Sequence, residues 1–361
     1  MTRVGILNVT GYAGAELARL LYLHPEVRLT SITGRTAAGK PLADVFPHLA
    51  PLGLRVDAEL GDVDFVFSAL PHAASAEAIA SIVEAGLPVV DISADFRLRD
   101  PSEYEVWYGQ PHPIPSLLSQ AAYGLTELNR PAVAGSRLIA NPGCYPAGAL
   151  LALAPAVAAG VIAPDIIIDA KSGVSGAGRS LGLTHHYAEA NEGVSAYGLE
   201  GHRHLPEMVQ ELARIWPRGE TSSSDASGSS ISDGRQSPRL TFIPHLVPMT
   251  RGILTTCYAE LISDRLSDAS AAKAQVCEIY HSFYQNEPFV RIVDEPPSTK
   301  HTWGNNLCLI YPTVDLRTER LVVVSVIDNL VKGAAGQAIQ NMNLLLGLPE
   351  PTGLDFPAVY P

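Results

Sequence analysis

The first 143 residues alternate short apolar stretches with alanine- and leucine-rich segments. Short apolar runs bounded by turn-forming residues are typical of buried strands, and longer segments with one apolar face favour helices. The pattern predicts strands at residues 4–7, 28–33, 64–68 and 88–90, and helices at residues 15–23 and 73–85. Strands that alternate with helices are joined by right-handed crossovers into parallel sheets. We therefore expect an α/β fold with a doubly wound, Rossmann-like domain over residues 1–143.

The pattern changes after residue 143. Helices are predicted at residues 147–159 and 205–216, and strands at residues 166–169, 240–247, 254–261, 307–314 and 321–327. Long strands with few helices between them favour a mixed or antiparallel sheet. We therefore expect a second, α+β domain at residues 144–328. An apolar helix around residues 334–346 is expected to pack against the first domain, so that residues 329–361 complete it.

The composition is that of a globular protein without a nucleic-acid surface. Hydrophobic residues make up 47% of the 361 and charged residues 17%, with a formal net charge of -12. The chain lacks the clustered Lys and Arg that bind phosphate backbones. The first residues show no secretory leader, and no apolar run reaches the roughly 18 residues that span a bilayer. We expect neither a nucleic-acid nor a membrane partner, and a cytoplasmic location.

The cysteines and a serine-rich stretch add two expectations. Four cysteines, at positions 144, 257, 277 and 308, lie far apart and form no CxxC pair. This spacing indicates neither a disulfide framework nor a zinc site, and reduced thiols fit the expected compartment. Residues 221–237 contain eight serines among seventeen positions. Because this stretch has almost nothing to bury, we expect a disordered surface insertion without a catalytic role.

Three glycines accompany the first predicted strand and helix. Gly5, Gly11 and Gly14 are expected between these two elements. There, glycine allows a tight turn and lets a pyrophosphate approach the helix N-terminus. Glycine spacing alone is a weak signal, but this position favours a dinucleotide site over an ordinary turn.

The residues after the second predicted strand indicate which dinucleotide binds. An Asp or Glu there usually binds the ribose 2′-hydroxyl of NAD, whereas an arginine accommodates the 2′-phosphate of NADP. The sequence reads Thr33-Gly34-Arg35-Thr36, with Lys40 close behind and no carboxylate at the strand tip. We therefore predict NADP(H); the alternative is that Arg35 and Lys40 are solvated loop cations.

A candidate nucleophile, Cys144, lies in the segment NPGCYP at residues 141–146, directly before an apolar helix. A helix N-terminus stabilises a thiolate, so we expect a lowered pKa for this thiol. The adjacent N–H groups can receive a developing oxyanion. A buried structural cysteine is the alternative, but the flanking prolines and glycine indicate a specified turn. The other three cysteines lie in apolar patterns and are expected in the core.

A general base for this thiol is available in the segment GHRHLPE, residues 201–207. His202 and His204 precede a helix that starts with proline, and an imidazole there can accept the thiol proton and return it later. The sequence does not distinguish between the two. His185 and His186 form a rival pair. No three or four side chains have coherent metal-ligand spacing, so no metal is expected.

A glycine-rich loop, SGVSGAGR at residues 172–179, follows a predicted buried strand. Backbone donors in such a loop can lie close against a planar or anionic group. A flexible hairpin loop is the alternative.

Together these segments resemble the family of N-acetyl-gamma-glutamyl-phosphate reductases, arginine-pathway relatives of aspartate-semialdehyde dehydrogenase. The resemblance runs nearly the whole chain and includes ALPH at 69–72, SADFR at 93–97, YGLTE at 123–127, PHLVPMTRG at 244–252 and NLVKGAAGQ at 329–337. So many ordered matches are more specific than any one motif. The family has glycine where this chain has Asn8 and Ala73. Asparagine tolerates a left-handed backbone, so Asn8 is compatible with the turn.

The resemblance implies NADPH-dependent reduction of N-acetyl-L-glutamyl 5-phosphate to the 5-semialdehyde with release of phosphate. It also implies a homodimer or homotetramer, in which the second domain of each subunit is catalytic. It implies that Cys144 forms a thioester and that His202 or His204 is the base. Cofactor contacts are expected from Gly11, Tyr12, Ala13, Gly14, Arg35, Thr36, Ser68, Leu70, Pro71, Ser175, Gly176 and Asn329. Substrate contacts are expected from Arg97, Asn141, Ser172 and Arg251. The two arginines match phosphate or carboxylate unless one forms a structural ion pair.

Three other functions are compatible with many of the same residues. The same chemistry can act on aspartyl phosphate or a carrier-bound aminoadipyl phosphate, because spacing does not define side-chain specificity. A non-catalytic dinucleotide-binding protein would need neither Cys144 nor the histidine pair. A phosphorylating dehydrogenase of the glyceraldehyde-phosphate type would prefer NAD, contrary to Arg35.

Overall fold

Two β-sheets organise the chain in a computed structural model that describes residues 1–217, 237–262 and 271–360. The first sheet has strand order β2-β1-β3-β4-β6-β5, and all its neighbouring strands are parallel. Its strands are β1 (Thr2–Leu7), β2 (Val27–Ile32), β3 (Phe65–Ser68), β4 (Val89–Asp91), β5 (Ala121–Tyr123) and β6 (Leu138–Ala140). The predicted doubly wound architecture is confirmed.

Of the helices in this first half, the pattern predicted α1 and α3 with approximate bounds and missed the other three. They are α1 (Tyr12–Tyr22), α2 (Leu42–Val45), α3 (Ser75–Glu84), α4 (Pro101–Tyr108) and α5 (Thr126–Ala134). Helix α1 begins three residues before the predicted start, so Gly14 lies in its first turn. Gly5 lies inside β1, not between strand and helix as predicted. A methyl group at Gly5 would come within 2.7 Å of Leu60, so this glycine serves packing instead of the turn.

The second sheet is mixed, as predicted, with strand order β11-β12-β13-β10-β7-β9-β8. Its strands are β7 (Ile162–Gly173), β8 (Ser195–Ala196), β9 (Arg239–Val247), β10 (Ile253–Leu261), β11 (Val290–Ile292), β12 (Cys308–Asp315) and β13 (Arg320–Ile327). β7 pairs with β9 and β11 with β12 in parallel, and the remaining pairs are antiparallel. The strand predicted at residues 166–169 is much longer because β7 continues into the glycine-rich segment.

Helices cover one face of the second sheet. They include α6 (Cys144–Ala158), α8 (Leu205–Ile215) and α9 (Ala272–Tyr284). The single-turn helix α7 (Tyr187–Ala190) precedes β8, and the last helix of the chain is α10 (Gly336–Leu345). Every residue of α6 between its two ends is buried. Such an all-round apolar helix is stable only inside a core. It packs against β10, β13 and α8 and holds its first residue, Cys144, at the edge of that core.

The C-terminal segment returns to the first sheet. A π-helical turn at Val331–Ala335 precedes α10. Val331, Ile339 and Met342 belong to the same buried cluster as Val4 and Ile6 of β1. All but the last residue of the serine-rich stretch 221–237 lies outside the described residues. No helix among the described residues is long and apolar enough to cross a membrane.

Candidate active site

A large cleft of about 720 Å³ opens where the carboxyl ends of β1, β3, β4 and β6 meet. Parallel α/β sheets bind ligands at this edge, where the chain leaves each strand. Among the described residues that line the cleft none is acidic, whereas three are arginines: Arg97, Arg179 and Arg203. The cleft therefore attracts anions.

The loop between β1 and α1 fits a dinucleotide pyrophosphate. Gly11 caps α1 without any side-chain hydrogen bond, so the first N–H groups of the helix face the cleft. A methyl group at Gly14 would lie 2.5 Å from the backbone oxygen of Asn8, so only glycine lets the helix pack this close to the strand. Asn8 has φ 65°, which confirms that asparagine occupies the left-handed turn. Tyr12 and Ala13 line the cleft beside Gly11.

The remaining predicted cofactor residues differ in their access to the cleft. Thr36, Leu70, Pro71, Ser175, Gly176 and Asn329 line it. Arg35 is exposed on the short turn Arg35–Ala37 beside Thr36 and does not itself line the cleft. Ser68 is fully buried and its hydroxyl bonds Ser75 at 2.7 Å, so the structure does not bring this side chain to the cleft.

Cys144 is the first residue of α6 and lies between two cavities. It lines the large cleft and also a side cavity of about 480 Å³, whose walls include Tyr145, Ser172, Tyr197 and His202. The thiol can therefore meet a dinucleotide from one side and an acyl substrate from the other. The chain just before it is held by Glu207, which accepts a 2.7 Å hydrogen bond from the Gly143 N–H.

The Cys144 thiol is not activated in the way the sequence suggested. Burial raises its pKa, and the charge of Arg97 only partly opposes this. The prediction of a lowered pKa is therefore wrong for the protein without ligands. The helix N-terminus favours the thiolate, but loss of solvation at the edge of the core costs more.

His204 lies beside the nucleophile and Arg97. Its Nε2 is 3.4 Å from a guanidinium nitrogen of Arg97, and a methyl group on Gly143 would lie 2.6 Å from the same atom. Because guanidinium only donates, Nε2 is the acceptor and the ring proton is on Nδ1, which has no partner among the described residues. Burial and the nearby His202 and Arg97 lower the pKa of His204 well below its usual value. The ring is therefore neutral and able to accept a proton.

His202 is enclosed by aromatic rings. Its ring contacts those of Tyr145, Tyr197 and Phe242 edge to face, with centroids 5.4–5.7 Å apart. Its Nδ1 accepts a hydrogen bond from the backbone N–H of His204. Burial and Arg203 lower the pKa of His202 to about 4. His202 therefore orients the His204 loop and lines only the side cavity, whereas His204 lines both cavities that contain Cys144.

The predicted anion-binding arginines are both already paired. Arg97 is buried, donates to the backbone oxygens of Asn141 and Ile92, and lies 3.5 Å from Glu207. Arg251 lies outside both cavities that contain Cys144, because its guanidinium pairs with Glu16 at 2.8 Å and with Asp328 at 3.3 Å. It is therefore placed as a structural ion pair.

Two other predicted substrate residues are held inside the protein. Asn141 is fully buried, donates to the Ala334 oxygen and accepts from Asn341, so its amide braces the segment before Cys144 instead of facing a ligand. Ser172 lines the side cavity and donates to the Gly173 oxygen. In the rival pair, His185 also lines the side cavity and bonds Thr184, whereas His186 faces a different cavity.

Four residues of the site had no role predicted from the sequence. Glu207 accepts from both Gly143 and Tyr123, and Arg203 bonds His72 across the large cleft. Gly333 packs on the nucleophile, since a methyl group there would lie 2.8 Å from Cβ of Cys144. All four lie in segments that the sequence singled out: Glu207 and Arg203 beside the histidines, and His72 and Gly333 in the matching segments 69–72 and 329–337. Among the described residues no three His, Cys, Asp or Glu side chains converge as metal ligands do.

Known proteins are similar to this chain over nearly its whole length. The family models "Semialdehyde dehydrogenase, NAD binding domain" and "Semialdehyde dehydrogenase, dimerisation domain" match residues 3–136 and 144–329. A Dehalococcoides mccartyi protein named N-acetyl-gamma-glutamyl-phosphate reductase is 52% identical over 360 residues, covering 99% of each chain. Proteins of the same name from Geobacter sp. and Symbiobacterium thermophilum are 46% and 47% identical, over 100% and 99% of each chain.

Solved structures show the same fold at low sequence identity. Aspartate semialdehyde dehydrogenase from Candida albicans, solved with NADP, is 18% identical with a TM-score of 0.63, and the match covers 96% of this chain and 98% of that one. Aspartate semialdehyde dehydrogenase II from Vibrio cholerae is 18% identical with a TM-score of 0.60, over 96% and 99% of the two chains.

Proposed function

The chain belongs to the semialdehyde dehydrogenase family and, within it, to the N-acetyl-gamma-glutamyl-phosphate reductases, and from this premise we propose that Cys144 is the nucleophile of the reaction. The protein is an NADP-dependent oxidoreductase of arginine biosynthesis. It reduces N-acetyl-L-glutamyl 5-phosphate to N-acetyl-L-glutamate 5-semialdehyde and releases phosphate. The observation that carries the assignment of Cys144 is its position in the wall shared by the large cleft and the side cavity, beside His204.

The covalent steps follow from that position. The Cys144 sulfur attacks the acyl carbon while His204 takes the thiol proton; the carbon–sulfur bond forms, the bond to the phosphate oxygen breaks, and inorganic phosphate leaves. The chemistry that NADPH supplies when bound is a hydride for the thioester carbon. The oxygen that has become negative then re-forms the carbonyl as the carbon–sulfur bond breaks, and His204 returns its proton to the departing sulfur, which gives the aldehyde and restores the Cys144 thiol.

The large cleft is the proposed cofactor site. The helix start at Gly11 and Tyr12 would receive the pyrophosphate, and Arg35 with Thr36 would receive the 2′-phosphate at the rim. Leu70, Pro71, Ser175, Gly176 and Asn329 would line the nicotinamide half. Residues 1–143 together with 329–361 would form the cofactor-binding unit, and residues 144–328 the catalytic and oligomerisation unit.

The open face of the second sheet supports a homo-oligomer, as a dimer or tetramer. Ile167, Tyr258 and Val322 lie side by side across three neighbouring strands on that face, and Ile167 is 38% exposed. An apolar row of this kind is typical of a subunit interface. The variant Ile167→Lys should shift the molar mass in light scattering toward the monomer. Val106→Lys, at an exposed apolar position on α4, is the matched control and should not.

We also place the enzyme in the cytoplasm. The four cysteines are unpaired thiols, and the proposed nucleophile must stay reduced to act. Phosphate and NADPH are substrates found in that compartment.

The Cys144→Ala variant tests the proposed mechanism. We expect activity to fall by at least about a thousandfold, because no second thiol or hydroxyl among the described residues lines both cavities, while NADPH still binds with unchanged fluorescence enhancement. Cys277→Ala, a partly exposed thiol on α9, is the matched control and should keep full activity. Substantial turnover by Cys144→Ala would exclude the thioester.

The substrate is tested in the oxidative direction, with phosphate and NADP⁺. We expect N-acetyl-L-glutamate 5-semialdehyde to be oxidised with a far higher kcat/KM than aspartate semialdehyde or an aminoadipate semialdehyde. A preference for either rival aldehyde would replace the assigned substrate and leave the chemistry intact. In the same assay His204→Gln should lose activity in kcat, whereas His202→Gln should retain more of it.

A further inference from the structure

The cations around Cys144 differ in how far they are already neutralised. Arg97 is buried against Glu207 and two backbone oxygens, so its charge is largely balanced within the protein. A phosphoryl group carries close to two negative charges and needs cations that are still free to pair with it.

Arg203 has no acidic partner among the described residues. Its guanidinium donates to the His72 ring at 2.9 Å, and it lines both cavities that contain Cys144. The charge of Arg203 acts on both reacting groups. It lowers the pKa of the Cys144 thiol, against the rise that burial causes, and it contributes to the lowered pKa of His204. Arg203 is therefore an uncompensated positive charge beside the nucleophile.

His72 orients Arg203 without cancelling its charge. Burial, together with the charge of Arg203 itself, lowers the pKa of His72, so the ring is neutral and accepts from the guanidinium. The ring packs against Tyr108 with centroids 5.6 Å apart, which fixes its position at the end of β3. A neutral acceptor leaves the remaining guanidinium N–H groups free for an oxyanion.

Arg179, the third arginine of the large cleft, lies elsewhere. It donates to the Thr10 backbone oxygen and its guanidinium stacks 4.7 Å from the Phe46 ring centroid, on the side of the β1–α1 loop. It lines the large cleft but not the side cavity, so it is suited to the dinucleotide instead of the acyl substrate.

We propose that Arg203, held across the cleft by His72, binds the phosphoryl group of the acyl phosphate and, in the reverse reaction, the inorganic phosphate that attacks the thioester. This rests on the proposed Cys144 mechanism. The phosphoryl group is bonded to the carbon that Cys144 attacks, so its site has to adjoin the thiol, as Arg203 does. The substrate carboxylate is several bonds away from that carbon and therefore needs a separate binding site.

The test measures, for Arg203→Gln, the two half-reactions of the oxidative direction separately: thioester formation and attack of phosphate on the thioester. Mixing enzyme with N-acetylglutamate semialdehyde and NADP⁺ without phosphate should give a burst of one NADPH per site as the thioester forms, equal to that of the unsubstituted enzyme. In steady state the KM for phosphate should rise roughly 10- to 100-fold, with the KM for the aldehyde little changed. The KM of Arg203→Lys for phosphate should lie between those of the unsubstituted enzyme and Arg203→Gln, because lysine keeps the charge but lacks the paired donors of the guanidinium. Arg291→Gln, on β11, is the matched control.

Each other outcome has a distinct meaning. A raised KM for the aldehyde with an unchanged KM for phosphate would assign Arg203 to the carboxylate and overturn the proposal. Unchanged values for both would also overturn it. An unsubstituted enzyme that gives neither a burst nor phosphate-dependent turnover would instead refute the Cys144 mechanism. His72→Ala should raise the KM for phosphate several-fold if it positions Arg203, and an unchanged value would remove His72 from the proposal.

Discussion

At the scale of single residues, four non-glycine positions among the described residues have a positive φ, and two of them, Asn8 and Ala73, are positions where the family has glycine. Asn8 has φ 65° and Ala73 has φ 69°. Asn8 is compensated by its side chain, which donates to the Ala69 oxygen and accepts from Thr10. Ala73 has no such side chain, and the backbone N–H bond to Asp95 at 2.7 Å holds the strained turn in place. The strain at Ala73 is therefore a cost that the surrounding structure offsets.

Replacing Ala73 by glycine should relieve this strain. A non-glycine residue in this region costs about 1 kcal/mol, partly offset by the greater freedom of glycine in the unfolded chain. We expect Ala73→Gly to stabilise the protein by about 0.5 kcal/mol, seen as a higher Tm. Ala80→Gly, the same change inside α3, should lower the Tm instead. A lower Tm for Ala73→Gly would show that the turn is not strained.

The raised pKa of Cys144 predicts how its reactivity depends on pH. The thiolate is the reacting form, and burial raises its pKa. We expect the rate of Cys144 alkylation by iodoacetamide to keep rising with pH above about 8.5, the midpoint of an ordinary thiol. The rate is followed on the Cys144 peptide by mass spectrometry. A rate that is already constant below pH 8 would mean that the helix N-terminus outweighs burial.

At the scale of elements, the π-helical turn Val331–Ala335 connects the C-terminal segment to the nucleophile. Lys332 is fully buried within it, with Nζ 2.6 Å from Glu127 of α5 and 2.8 Å from Gln340 of α10. The next residue, Gly333, packs against Cys144. The ion pair therefore fixes three elements together directly behind the reactive thiol.

Removing one partner of this pair should be costly. Lys332→Met leaves the Glu127 carboxylate buried and uncompensated, at a cost of about 3–5 kcal/mol. The double variant Glu127→Gln/Lys332→Met removes both charges and should recover much of the lost Tm. The measurement is thermal denaturation of the unsubstituted protein and the two variants. Equal Tm values for the single and double variants would argue against an uncompensated charge as the cause.

At the scale of the whole molecule, histidines that have lost part or all of their solvation dominate the response to acid. The pKa values of five histidines are lowered, chiefly by burial: His24, His72, His112, His202 and His204. Two buried carboxyls act in the opposite sense, because burial raises the pKa of Asp91 to about 6 and also raises the pKa of Glu207. Because the histidines that gain a proton on unfolding outnumber the carboxyls that lose one, we expect unfolding to take up protons below about pH 6.5.

The sign of this linkage gives a prediction. A histidine with a lowered pKa stabilises the fold fully above its unfolded value of about 6.5, and that stability is lost as the pH falls towards its folded value, about 4 for His202. Each whole proton taken up costs about 1.4 kcal/mol per pH unit. We expect a clearly lower Tm at pH 5 than at pH 7.5. An equal or higher Tm at pH 5 would mean that Asp91 and Glu207 prevail.

Much of the fold was predictable because its signals are local. Apolar runs and turn residues predicted the longer strands of both sheets, whereas β5, β6, β8 and β11, each only two or three residues long, were missed. Helices α4, α5 and α9 were also not predicted, and the start of α1 was misplaced by three residues. The short helices α2 and α7 have only a single turn each and leave almost no periodic signal. The family resemblance supplied the chemistry, and the positions of Cys144, His204 and Gly11 agree with it.

The sequence by itself determined the two-sheet architecture, the glycine turn after β1, and the cysteine that starts α6, because each depends on residues close together in the chain. Only the tertiary structure decided which charges are already paired: Arg251 with Glu16, Arg97 with Glu207, and Arg203 with no acid among the described residues. It also decided that the pKa of Cys144 is raised. The physical reason is that burial and charge pairing depend on distances between segments far apart in sequence, which no local pattern encodes.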